Sequence, residues 1–309
     1  MPTPTTSDLH IDAALTNVSV KYQNADLVGE KICPPLTVKK DSDKYFVYGK
    51  QDLRLFNDLK APGARAKQVE WSIDSTPTYS LEEHSLEMQL IDEVRDNTDD
   101  PIRYDADSTE YVSNMILLRV EKMIGDFLND YTVNYEAGHS SAVATKWDVA
   151  AGDPLTDIDD AREVVRSKIG RYPNTMVVSP KVHKLLRKHS KLLEMYKYTK
   201  AGTLTADILK EIFEMKNYYV YGAGYISSAE GQAEVLADIW ADNVALIYVP
   251  DNPGLKQLSF SYLFRKTGYR LVERWREAAL RSDWIRVSDK YNLKSISTVA
   301  GYHLRDVLS

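Results

Sequence analysis

The residues whose types could support catalysis or metal binding are few in this sequence, and their spacing does not favour either role. No two of the six histidines stand at the HExxH spacing that places two imidazoles on one helix face for zinc. His183 and His189 are six residues apart, which puts them on different faces of a helix. We therefore expect the histidines to be surface residues or hydrogen-bonded core residues. The single cysteine, Cys33, excludes an internal disulfide and a zinc site of several thiolates, and no nucleophile signature flanks it.

Motifs for acyl transfer and for phosphate binding are also missing. The sequence has no GxSxG motif and no GxxxxGK[ST] motif. Gly222 and Gly224 form a GxG after an expected strand, but no third glycine follows, so a turn is favoured over a nucleotide-binding loop. We expect no catalytic residue, no cofactor and no metal ion.

Charge is segregated along the chain into three blocks. Residues 92–110 contain eight acidic residues and two arginines, whereas residues 50–67 contain five basic and two acidic residues. Residues 181–200 contain seven basic residues and one acidic residue, which could follow phosphates or form an edge between subunits. Each block can also be a solvated surface, and the acidic block lacks the glycine of an EF-hand. A further alternative is that the basic residues 50–67 of one copy lie over the acidic residues 92–110 of another, where complementary charge selects the register.

Length and composition describe an ordinary folded chain. Its 309 residues fit one large domain or two, and 43% hydrophobic residues exclude global disorder. We find no run of about 18 apolar residues, so no membrane-spanning helix is expected, and the start lacks the pattern of a secretory signal. The net charge of −6 argues against a globally basic nucleic-acid binder. Tyrosine outnumbers phenylalanine by 20 to 6, which suits surfaces that become buried on assembly.

The basic residues 50–67 lie between two predicted β segments. Residues 1–40 show no sustained period and are expected to form an extended arm with little structure of its own. KYFVY at 44–48 and the alternating residues 69–73 are strand-like, and alternation continues through residues 79–90. The connection between them, residues 50–67, is longer than the roughly 12–15 residues that compact domains usually allow. A loop of that length indicates a function or a partner.

The acidic block leads into a predicted long helix over 108–130, with Asp107 or Ser108 as its N-cap. Its apolar stripe at helical spacing consists of Val112, Ile116, Val120, Met123 and Phe127. Further along, helices are expected at 157–169, 180–189 and 205–213, and strands at 175–179, 218–221, 244–249 and within 257–291. The last residues, 295–308, are expected to form a strand or a short helix. This mixture of elements predicts an α/β or α+β lobe.

The order of these features resembles the major capsid protein of tailed bacteriophages, with the shell-protein fold first described for phage HK97. The resemblance is carried by YSLEEHSLEMQLIDEVRDN (79–97), EYVSNMILLRVEKMIGDFL (110–128), NTMVVSPKVHKLLRKH (174–189), SYLFRKTGYRLVERWREAALRSDWIRV (261–287) and TVAGYHLRDVL (298–308). It covers nearly the whole chain through loose patterns, so the order and spacing of the segments carry it.

The resemblance implies an α+β fold of four parts. These are an N-terminal arm (1–38), an extended loop (39–78), a peripheral domain (79–144 and 266–309) with a spine helix (108–130), and an axial domain (145–265). The axial domain would gather around the five-fold and six-fold centres of a shell.

The resemblance also implies where copies of the chain would meet. The loop residues expected at an interface are Lys50, Arg54, Phe56, Lys60, Arg65, Lys67 and Trp71. The acidic residues expected before the spine helix are Asp96, Asp99, Asp100, Asp105 and Asp107. No motif fixes a covalent cross-link between a loop lysine and Asn292.

The function that the resemblance implies is that of a non-enzymatic shell subunit. It would form pentamers and hexamers around double-stranded DNA in a virion, after assembly in the host bacterial cytoplasm. Expected partners are further copies, a separate scaffold protein, a portal, decoration proteins and DNA contacted without sequence specificity, with no membrane. Two alternatives are an encapsulin-like nanocompartment and a cytosolic α/β enzyme, although the sequence offers no convergent titratable groups for the enzyme.

Overall fold

The computed structural model describes residues 27–45, 55, 58–63, 65–66, 68, 77–97, 103–196, 204–229, 231–255 and 257–309. The helices are α1 (Gly29–Ile32), α2 (Asp92–Asp96), α3 (Tyr104–Asn129), α4 (Pro154–Ile169), α5 (Pro180–Leu186), α6 (Ser190–Tyr196) and α7 (Ala206–Ile212). The strands are β1 (Pro35–Val38), β2 (Ser42–Lys44), β3 (Thr78–Ser80), β4 (Glu82–Ile91), β5 (Ser140–Ala142), β6 (Thr175–Val178), β7 (Asn217–Val220), β8 (Gly224–Ile226), β9 (Leu236–Asp238), β10 (Val244–Ile247), β11 (Ser261–Lys266), β12 (Leu271–Glu277), β13 (Ser282–Ser295) and β14 (Gly301–Arg305). Two 3₁₀ turns, Ala278–Leu280 and Thr298–Ala300, precede β13 and β14.

The first sheet is built around β13. Strand β4 pairs antiparallel with its first ten residues on one side, while β12 and then β11 pair with it on the other. Strand β1 adds parallel to β11. Because side chains alternate along a strand, Ile285 and Val287 share one face with Leu90, and Trp284 and Arg286 lie on the opposite face.

Helix α3 packs on one face of the first sheet. Val112 and Ile116 are buried there against Leu90, Ile285 and Val287. Further along the helix, the fully buried positions that enter the main core include Ile124 and Leu128. The predicted stripe residue Val120 is buried in that core, whereas Met123 and Phe127 are half-buried against it.

The long helix begins earlier than the sequence predicted, at Tyr104 instead of Ser108. The backbone N–H of Arg103 donates to the Asp107 carboxylate at 3.1 Å, and Ser108 is a buried residue inside the helix. In this extra turn Asp105 pairs with Arg95 of α2 and with Arg274 of β12, more than 160 residues later in the chain. Such distant partners are invisible to a local capping pattern.

A second sheet has the order β5-β14-β10-β6-β7. Strands β6 and β10 are buried at every position, as short apolar runs in the middle of a sheet should be. The two sheets divide the chain differently from the predicted domain limits. Residues 261–266 belong to the first sheet, and 301–305 return to the second beside β10.

Two further expectations need correction. Residues 27–38, predicted as part of an arm with little structure, form α1 and β1, and Ile32 and Cys33 are fully buried. Strand β1 pairs with β11, more than 220 residues away, so no local sequence pattern predicts this strand. The helix predicted at 180–189 ends earlier, at Leu186, and after a turn a second helix begins at Ser190.

Gly125 lets α3 approach the segment that follows β9 closely. A Cβ atom at this position would lie 2.3 Å from Cγ2 of Ile239. A glycine inside a helix generally weakens it. In the structure its missing side chain makes room for a neighbour.

No helix among the described residues is long and apolar enough to cross a membrane. In the same part of the chain, no group of three or more His, Cys, Asp or Glu residues is arranged to hold a metal ion.

Candidate assembly surface

The base of the extended loop is packed firmly on the body. Strands β2 and β3 pair antiparallel, with Ser42 opposite Ser80. Beside them, the Tyr79 ring stacks on Phe264 at 4.8 Å between centroids, and Tyr45 lies 5.6 Å from the same ring. These rings belong to a separate buried cluster at the base of the loop. The loop therefore leaves the body from a fixed point.

Ion pairs reinforce this base. Asp41 pairs with Lys266 and, at 3.0 Å, with Lys290. Hydrogen bonds from Lys266 and then Lys290 lower the pKa of the Asp41 carboxyl. Asp289, which is fully buried, accepts from Arg265 at 3.1 Å. Arg265 also reaches Glu30, so the pairs connect α1, β11 and β13.

The loop itself is described only at its middle. Lys60 and Arg65 are exposed there, as are two apolar side chains, Leu55 at 98% and Leu59 at 82%. Five of the predicted interface residues, Lys50, Arg54, Phe56, Lys67 and Trp71, lie outside the described residues.

The acidic block is partly neutralised within the chain. Asp283 on β13 lies at the centre of a group of arginines and carboxylates near the start of α3. Its carboxylate accepts from Arg274 at 2.5 Å and from Arg95 at 2.9 Å. These two arginines, and then Arg276, lower the pKa of Asp283 to about 2. The arginines that hold this cluster come from β12 and α2.

The cluster changes which acidic residues a neighbour could reach. Asp105 pairs at 2.9 Å with both Arg95 and Arg274. The Asp107 carboxylate accepts from the Arg103 N–H, and Asp96 is exposed. The remaining predicted residues, Asp99 and Asp100, lie outside the described part.

The face of the first sheet opposite α3, which we call the tryptophan face, presents Trp275, Trp284, Arg286, Glu87 and Glu273. The two indole rings are parallel, with centroids 6.3 Å apart. The Arg286 guanidinium lies 5.1 Å from the Trp275 ring and pairs with Glu273 at 2.7 Å and with Glu87 at 3.4 Å. None of the residues predicted at an interface lies on this face. The alternation of apolar and charged residues in LVERWRE and DWIRV was a signal for it.

The tryptophan face is incomplete in the single chain. Trp275 is 36% exposed and Leu271, on the same face, is 47% exposed. The Trp284 indole N–H is buried yet has no acceptor in the described part of the chain. A buried donor without an acceptor is costly, and Trp and Arg side chains are the residues enriched at the energetic centres of interfaces.

The basic block 181–200 is also partly paired within the chain. Lys191 pairs with Asp153 at 2.9 Å, and Arg187 donates to the Leu204 carbonyl at 3.1 Å. Lys184 and Lys188 are exposed. The described portion of the block therefore presents less free charge than its composition indicates.

His303 departs from the expectation of surface or hydrogen-bonded histidines. It is fully buried among the rings of Tyr131, Tyr135 and Trp240. Neither ring nitrogen has a hydrogen-bond partner in the described residues. Burial, followed by the nearby Arg305 charge, lowers the pKa of His303 to about 4.

We predict that His303 makes the subunit acid-sensitive. Between about pH 6.5 and about pH 4 the unfolded histidine binds a proton that the folded one does not. The free energy of unfolding should fall by about 3 kcal/mol over that window because of this group alone. Urea unfolding at pH 7 and pH 4 should show a smaller loss for His303→Leu than for the unsubstituted chain. Equal losses would show that His303 does not titrate in this way.

Comparison with known proteins gives consistent matches over most of the chain. A family model described as phage major capsid protein E matches residues 87–260. The major capsid protein of Burkholderia phage BcepMu is 31% identical over 299 residues, which cover 94% of this chain and 95% of that protein. A phage-related protein from Bordetella bronchiseptica RB50 superimposes with a TM-score of 0.75 at 28% identity, covering 99% of this chain and 98% of that one. The capsid structure of cyanophage P-SCSP1u shares the fold, with a TM-score of 0.58 at 10% identity over 88% of this chain and 86% of that one.

Proposed function

Because the chain belongs to the phage major capsid proteins, we propose that its copies build the pentamers and hexamers of an icosahedral shell around double-stranded DNA. The chain is a structural, non-enzymatic component of the virion shell and assembles with copies of itself. This membership favours a phage shell over the nanocompartment and the cytosolic enzyme. Assembly takes place in the cytoplasm of the host bacterium.

In this proposal the four predicted parts keep the roles that the resemblance implies. The second sheet and its helices gather around the five-fold and six-fold centres. The first sheet and α3 form the periphery, and the extended loop reaches a neighbouring copy. Residues 1–26 act as an arm between copies.

The observation that carries the proposal is the exposure of two apolar side chains on the loop in the single chain, Leu55 at 98% and Leu59 at 82%. Strand β4 starts at the loop base opposite Tyr291 and reaches Trp284 only at Gln89. Seven residues of strand span about 23 Å, so the tryptophan face lies far from the point where the loop of the same chain departs. In a shell, another copy would cover these two side chains.

The receiving surface in this proposal is the tryptophan face. Besides Glu87 and Glu273, the same side of the sheet carries Glu83 and Glu277, against the cations Arg286 and Lys290. The loop block 50–67 has the opposite sign. Complementary charge steers the encounter and fixes register, while the aromatic rings supply most of the buried area.

Further partners are proposed from the family alone. A separate scaffold protein would guide curvature, a portal would occupy one vertex, and decoration proteins could bind outside. DNA would be contacted without sequence specificity. The net charge of −6 fits a wall that grips DNA weakly, because tight grip requires many Lys and Arg contacts that release counterions.

Charge reversal in the loop tests this arrangement. We predict that the triple variant Arg54→Glu, Lys60→Glu, Arg65→Glu folds normally but gives few shells when expressed with its scaffold. Circular dichroism reports folding, and electron microscopy of the sedimented material counts shells. A charge-conserving triple variant, Arg54→Lys, Lys60→Arg, Arg65→Lys, is the control and should assemble. Unchanged shell yield in the reversed variant would remove the loop from the assembly contact.

A further inference from the structure

A buried carboxylate in the middle of α3 holds the segment that leads to the N-terminal arm. Glu121 is 2% exposed. Its oxygens accept from the backbone N–H of Val28 at 2.9 Å and from that of Gly29 at 2.9 Å and 3.1 Å. None of the ion pairs among the described residues involves Glu121. Its place in the core therefore depends on hydrogen bonds, from these two backbone N–H groups and from the Tyr221 side chain.

The other side of the contact is equally specific. A Cβ atom on Gly29 would lie 2.7 Å from Oε2 of Glu121 and 2.9 Å from Cδ1 of Ile124. A side chain at this position would push the Glu121 carboxylate and the Ile124 side chain aside, so glycine suits the close approach of both N–H groups. We call this contact between Glu121 and residues 28–29 the arm clamp.

The same turn of α3 also contacts the segments that follow β7 and β9, which we call the second-sheet region. The Tyr221 hydroxyl donates to the Glu121 carbonyl at 2.5 Å, and Ile239 packs against Gly125. One helical turn thus contacts the arm segment through its side chain and the second-sheet region through its backbone. Beyond the clamp, Cys33 contacts Ser261 at 2.9 Å and β1 joins the first sheet.

We propose that Glu121 is the positioning residue for the N-terminal arm. The arm clamp fixes the backbone at Val28 and Gly29, two residues after the proposed arm, residues 1–26. Strand β1 holds the following residues independently of Glu121. Loss of the carboxylate should therefore free residues 27–32 while both sheets stay folded.

Local proteolysis of the purified subunit tests the clamp. Lys31 is exposed and follows the clamped residues, so trypsin cleaves after it only when α1 opens. In Glu121→Gln, one of the two carboxylate oxygens becomes an amide nitrogen, which cannot accept a hydrogen bond. This amide N–H then faces the backbone N–H of the arm segment. Since hydrogen bonds to a charged group are strong, we expect cleavage after Lys31 to accelerate by about tenfold or more. Gly29→Ala should act in the same direction from the other side of the contact.

A matched control separates the clamp from general destabilisation. Val112→Ala truncates a buried residue of the same helix that packs on the first sheet. It should lower the melting temperature without selective cleavage after Lys31. Equal acceleration in the control, or no acceleration in Glu121→Gln and Gly29→Ala, would overturn the proposal.

The consequence for assembly rests on the proposed function and is measured separately. If the arm must leave at a defined point, Glu121→Gln should lower shell yield while the monomer retains its circular dichroism spectrum. Failure of the unsubstituted chain to form shells would contradict the proposed assembly and leave the proteolysis result intact. Normal shell yield from a variant with an open clamp would show that arm position does not limit assembly.

Discussion

Replacing Ile116 by aspartate is expected to abolish folding of the subunit. Ile116 is 4% exposed, and the buried neighbours in its cluster, Leu90, Val112, Ile285 and Val287, are all aliphatic. A carboxylate there would have no cation or donor within the cluster, and such burial costs at least several kcal/mol. Domains of ordinary stability have only about 5–15 kcal/mol in total. We expect the variant to appear in the insoluble fraction.

Met115 provides the matched control for this prediction. It precedes Ile116 in the helix but is 39% exposed. Met115→Asp should therefore give soluble protein with the helical circular dichroism signal of the unsubstituted chain. A soluble, cooperatively unfolding Ile116→Asp subunit would contradict the packing of α3 on the first sheet.

Replacing Trp275 by alanine is expected to prevent shell formation while the subunit remains folded. The ring is partly exposed in the single chain, so its loss removes little of the core. In an interface, truncating a central tryptophan typically costs 2 kcal/mol or more, about a thirtyfold loss in one contact. Every copy in a shell repeats the contact, so the losses compound. Shell yield by sedimentation should fall below detection.

Val272 lies on the same strand and faces the opposite side of the sheet, with 49% exposure. Val272→Ala should assemble normally, and both variants should match the unsubstituted chain in thermal unfolding of the subunit. Shells from Trp275→Ala at normal yield would exclude the tryptophan face as an assembly contact.

The parts of the fold that local patterns predicted are those that depend on near neighbours. TMVVS gave the buried strand β6, and alternation through residues 79–90 gave β3 and β4. Ser179 caps α5 by accepting from the Val182 N–H at 3.1 Å, with Pro180 at the first helical position. The α+β capsid fold implied by the resemblance is confirmed by the relatives and structural neighbours.

The parts that could not be predicted depend on residues far apart in the chain. Arg274 lies about 170 positions from Asp105, so no local pattern shows that this part of the acidic block is paired within the chain. Glu121 and Gly29 form the clamp across 92 positions, and neither residue belongs to a recognisable motif. Contacts between residues so far apart in the sequence become visible only in the folded structure.

The length of β13 has a mechanical consequence for the shell wall. Its 14 residues form a continuous strand of about 46 Å, paired on both sides over much of that length. Ladder hydrogen bonds run across the strands, so tension along β13 loads many of them in shear at once. Tension across the sheet opens them one after another. The sheet is thus stiff along β13 and more compliant across it. The orientation of β13 in the shell wall then sets the direction in which the wall best resists stretching.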